Sequence, residues 1–84
     1  MMKEKNNSPA ISLAFAPAGS KLLIVGNSGG LEFQRRIASL GIYPDEEIEI
    51  IERRCHGNFI VKVKGTRLAI GYGMTKKIKV QVIQ

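Results

Sequence analysis

The chain has a single cysteine, a single histidine and no tryptophan in 84 residues. One cysteine, Cys55, excludes an intrachain disulfide, so nothing covalent staples the fold, and this usage matches a reducing cytoplasm. Long apolar runs are also missing. The longest aliphatic stretch is Leu22-Leu23-Ile24-Val25, far below the roughly 20 residues needed to cross a bilayer. The glycine-rich stretch 26–30 is not followed by the G-x-x-x-x-G-K pattern of a phosphate-binding loop, and no second strand–helix–strand unit follows it. A catalytic constellation is absent as well. His56 is adjacent to Cys55, and neighbours in a loop seldom face each other as base and nucleophile do. Glu47 and Glu49 fall on the outer face of a strand, where water keeps a carboxylate ordinary. These absences lead us to expect a small binding domain and not an enzyme.

Acidic residues are scarce and unevenly placed. Thirteen Lys and Arg stand against seven Asp and Glu, giving a net charge of +6. Five of the seven acids lie between Asp45 and Glu52. The rest of the chain is strongly basic, a balance compatible with nucleic acid, an anionic membrane surface or an acidic protein.

What is present reads as one small domain spanning residues 11–84 behind an expected disordered polar tail, residues 1–10. Residues 3–18 faintly imitate a signal peptide. The apolar run is short and broken by Ser12, and cleavage would remove Leu13 and Phe15, which we expect to pack across the domain. Residues 21–25 predict a first strand. The one strong helix signal follows at 31–40, where Phe33, Ile37 and Leu40 share a face. Gly41 supplies a left-handed stop, and Ile42 is placed to fold back onto Ile37. Tyr43-Pro44-Asp45-Glu46 predicts a type I turn.

Glu47-Ile48-Glu49-Ile50 alternates cleanly, and the break in phase at Ile51 predicts a bulge. Phe59, Val61 and Val63 mark the inner face of a third strand. Gly65-Thr66 predicts a type II′ link to a fourth, with Leu68 and Ile70 inward. Residues 71–77 predict a turn or a single helical turn. Ile78, Val80 and Val82 line a last strand. The fold class is therefore mainly β: a small barrel of about five strands, with one short helix inserted after the first strand and covering the open side.

Ala16-Pro17-Ala18-Gly19, the run Arg35-Arg36-Ile37-Ala38-Ser39-Leu40-Gly41-Ile42-Tyr43-Pro44, the hairpin Val61-Lys62-Val63-Lys64-Gly65-Thr66-Arg67-Leu68-Ala69-Ile70 and Ile78-Lys79-Val80 together resemble the FeoA family. The resemblance covers roughly residues 13–82. It implies an SH3-like β-barrel, shared with the C-terminal domain of DtxR-type iron-dependent repressors. It also implies a cytoplasmic partner of the ferrous-iron transporter FeoB. Transition-metal-ion binding, of iron or zinc, is commonly attributed to the family. Two positions depart from its pattern. Asp45 stands where a glycine is usual, and we expect the turn backbone to adjust to it. Thr75 stands where a small alanine is usual.

For metal, Cys55 and His56 supply two ligands, and Glu52 or a second copy of the chain would supply more. A structural zinc site ordinarily takes four, so ligand count favours a plain polar loop. For a partner, Tyr43, Tyr72 and Met74 are large side chains with no assigned place in the core, and Arg35 and Arg36 project nearby. Exposed aromatic residues and arginines often anchor interfaces. A nucleic-acid barrel is the alternative reading. Its aromatics would interleave with basic residues for stacking, and here they do not.

Overall fold

The computed structural model describes residues 9–54 and 57–83. In chain order the elements are β1 (Ile11–Ser12), a 3-10 turn (Leu13–Phe15), β2 (Leu22–Asn27), α1 (Gly30–Ala38), β3 (Glu47–Arg53), β4 (Asn58–Val63), β5 (Thr66–Gly71), α2 (Tyr72–Lys77) and β6 (Ile78–Val82). The strands form one antiparallel sheet in the order β1-β6-β2-β3-β4-β5. The mainly β expectation holds, with six strands in place of about five. The added strand is β1, where Ile11 and Ser12 pair with Val80 and Lys79. Two residues are too few for alternation to register.

Alternation builds the core. Ile48 and Ile50 of β3, Phe59, Val61 and Val63 of β4, Ile70 of β5, and Ile78 and Val80 of β6 are all buried. Burying such side chains stabilises by about 1.5–3 kcal/mol each relative to exposure. The expected bulge in β3 is present, as the register with β4 shifts between Ile50 and Glu52. Leu13 is fully buried, as expected, but Phe15 is not: it is 71% exposed. The 3-10 turn points Leu13 and Ala14 inward and leaves Phe15 outside.

α1 starts and stops one or two residues earlier than the apolar phase suggested, and Leu40 lies outside the core. The stop itself is as expected. Gly41 has φ +89°, its N–H donates to the Ala38 carbonyl, and the Ile42 N–H donates to the Ile37 carbonyl. This double bond pattern is a Schellman cap, and it turns buried Ile42 back onto buried Ile37.

Three further features correct the reading from sequence. Asp45 holds φ +73° and Glu46 N–H donates to the Tyr43 carbonyl, so the proline turn is type II. The backbone did not adjust to Asp45, because Asp45 N–H and the Glu46 carbonyl are both bonded to Ile24 of β2. The β4–β5 hairpin turns on Lys64 and Gly65, both with positive φ, and Thr66 already pairs with Val63. That makes it type I′. Finally, the gap between the sheet's two edges is bridged by α2 and not by α1. α2 touches β1, β5 and the 3-10 turn, while α1 packs chiefly against β2. Thr75 sits fully buried in α2, its hydroxyl donating to the Tyr72 carbonyl at 2.7 Å. The extra oxygen at that position is thereby satisfied.

Candidate functional site

The Schellman cap and the type II turn together decide what lies beside α1. They bring Tyr43 and Pro44 back along β2 toward the first turn of the helix. The result is a cavity of about 200 Å³ whose floor is Ile24, Ile37 and Ile42. Leu31, Arg35 and Tyr43 stand on its rim. Leu31 is 64% exposed and Tyr43 46% exposed. Lys64 places its Nζ 5.5 Å from the centre of the Tyr43 ring and 3.6 Å from a Glu46 carboxylate oxygen, which steadies the tyrosine's position.

On the far side of the helix a second, wider groove of about 740 Å³ runs between α1 and α2. Phe33 and Met74 are half-buried in it, and Arg36, Lys76 and Lys77 edge it. Arg35 and Arg36 are successive on a helix, about 100° apart around its axis, so between them they serve both sides of α1.

Five residues stood as the candidate partner surface. Tyr43 and Arg35 share the first cavity, and Met74 and Arg36 share the second groove. Tyr72 lines neither of these two. Its ring leans on Phe59 at 6.3 Å, with Lys76 Nζ 5.7 Å above it, and the Arg53 guanidinium lies over Phe59 at 5.4 Å. Arg53 also donates to the Ala16 carbonyl. Tyr72 and Met74 thus have packing partners, since Met74 also lies against the core. The residue that sequence reasoning passed over is Leu31. It falls with Arg35 and Ala38 on a stripe of α1 separate from Phe33 and Ile37, and that spacing was the available signal.

Cys55 and His56 lie outside the described residues. Glu52, the third ligand considered, faces Arg54 at 3.6 Å with both side chains more than half exposed. Among the described residues no three His, Cys, Asp or Glu side chains are grouped closely enough to hold a metal ion.

A family model for the FeoA domain matches residues 11–82. A curated relative from Methanocaldococcus jannaschii, carrying the name Fe(2+) transport protein A, is 33% identical over 69 residues, covering 82% of this chain and 83% of the relative. The crystal structure of an iron uptake regulatory protein, FeoA, superposes with a TM-score of 0.78 at 29% identity, over 87% of this chain and 96% of that one. Stenotrophomonas maltophilia FeoA, crystallised with zinc and described as a prokaryotic SH3 domain protein, gives 0.70 at 20% identity, over 84% and 89%. That last likeness speaks for the SH3-like fold.

Proposed function

The chain belongs to the FeoA domain family, and from that premise we propose that it is a cytoplasmic accessory protein that docks on the cytosolic part of a FeoB-type ferrous-iron transporter. It modulates uptake and performs no chemistry of its own. The observation that carries this reading is the apolar cavity between α1, β2 and the Tyr43-Pro44 turn. A floor of buried isoleucines under a rim of exposed Leu31 and Tyr43 is suited to an inserted apolar side chain, and Arg35 beside it adds a charged, orienting contact. Among the described residues no helix is long and apolar enough to cross a membrane.

The test is a binding titration against the isolated cytosolic part of the transporter. Leu31→Asp and Tyr43→Ala remove rim contacts at exposed positions. Each is expected to weaken binding by about tenfold or more while leaving the melting temperature nearly unchanged. Binding that survives both changes removes this cavity from consideration. Tight, salt-sensitive binding to RNA or duplex DNA, with none to the transporter, would replace the accessory reading with the nucleic-acid barrel.

A further inference from the structure

The net positive charge of this protein is not spread evenly, and the sheet register explains why. Glu46 faces Lys64 at 3.6 Å, Glu49 stands opposite Lys62 in the β3–β4 ladder, and Glu52 faces Arg54. Lys21, Lys62 and Lys64 share one hollow with Glu46, Glu47 and Glu49. With Asp45 in the same hollow, the acidic run is thus largely, though not fully, offset by basic side chains where it stands. Around the α1–α2 groove the balance is different. Arg36, Lys76 and Lys77 edge it, with no carboxylate among its described lining residues, and the adjoining hollow sets Arg35 beside Glu32.

The groove is also built to admit something. Its floor is apolar, from Phe33 and Met74. Its wall on the α2 side is Gly71 and Gly73, where a Cβ would meet no atom within 4 Å. Phe33 is seated by Gly29, since a Cβ at that glycine would come within 2.5 Å of the Phe33 ring. We propose that this groove binds an acidic segment of a protein chain, with one apolar side chain against Met74 and carboxylates on Arg36, Lys76 and Lys77.

Two observations favour a polypeptide over the other anions. Nucleic-acid bases need an open aromatic face to stack on, and here Lys77 Nζ lies 5.5 Å over Phe33 and Lys76 Nζ 5.7 Å over Tyr72. A bilayer needs apolar groups that protrude, yet Phe33 and Met74 lie half-buried, and the most exposed large apolar side chains among the described residues, Phe15 and Leu31, are not part of the groove. The inference does not depend on transporter docking, because it concerns a different groove and its occupant can belong to any protein.

The probe is a short capped peptide in which aspartates and glutamates flank one leucine, followed by NMR. We expect shifts at the Met74 methyl and at the amides of Gly71, Gly73 and Lys77, with affinity falling as salt rises. Arg36→Glu combined with Lys77→Glu should weaken binding by about tenfold or more. Gly73→Leu fills the open wall at a position with ordinary backbone angles, so it should block the peptide while keeping the fold, as read from unchanged sheet resonances. Leu31→Asp should leave the peptide bound, which separates this outcome from the transporter test. The proposal is overturned if the peptide does not bind, if a lysine-for-acid version binds as well, or if its shifts map to the Tyr43 cavity. It is equally overturned if single-stranded DNA or phosphatidylglycerol vesicles occupy the groove and the peptide does not.

Discussion

Asp45 carries an unusual conformational load. A left-handed backbone costs a residue with a Cβ roughly 1–2 kcal/mol relative to glycine, and Asp45 accepts it because two hydrogen bonds to Ile24 fix the turn. Asp45→Gly removes that strain and gives back part of the gain as extra freedom in the unfolded chain. We expect a net stabilisation of about 0.5–1 kcal/mol, a rise of a few degrees in melting temperature for a domain of this size. Thermal unfolding by circular dichroism checks it, and a lower melting temperature would show that the aspartate side chain compensates for its backbone. Pro44 followed by aspartate reads equally well as type I; only the bonds to β2, invisible in sequence, decide for type II. At Cys55 and His56 the expectation rests on ligand count. Titration with zinc or ferrous ion should show no tight one-to-one site. A stoichiometric submicromolar site abolished by Cys55→Ser would establish a metal sensor instead.

Among the elements, α1 does the most positioning, because both grooves use it as a wall. Ile37 is its one buried side chain. Ile37→Asp places an unpaired carboxylate in the core and should cost several kcal/mol. A variant that melts like the parent would mean that α1 is not packed as described. Gly29→Ala makes a subtler demand: it forces Phe33 to move, and near-ultraviolet circular dichroism together with the Phe33 ring resonances should report the change.

The strands β3, β4 and β6 were legible because inward residues recur every second position. α1 was legible from its apolar phase and Gly41. β1 was too short to show a period, and α2 was obscured by Gly71 and Gly73, which read as turn residues. The site was half legible for the same reason. Tyr43 and Arg35 could be joined through the helix cap, whereas the separation of Met74 and Arg36 into another groove depends on where α2 sits. That is a matter of tertiary packing and not of local pattern.

Across the whole molecule, the order β1-β6-β2-β3-β4-β5 places the strand made last between the two made first. β1 and β2 do not pair with each other; each pairs with β6, and β2 has only Leu22 and Leu23 registered on β3. During synthesis, then, the first strands wait. Until Ile78–Val82 has left the ribosome, Leu22 and Ile24 have half a sheet to join, and Ile11–Ser12 has none. A nascent chain held at Lys77 should remain protease-sensitive through residues 11–27, and release of the final strand should protect both ends in a single step. Pairing of β1 and β2 is thus expected to wait for Ile78–Val82, with the aliphatic Leu22-Leu23-Ile24-Val25 run open to chaperones for the whole interval.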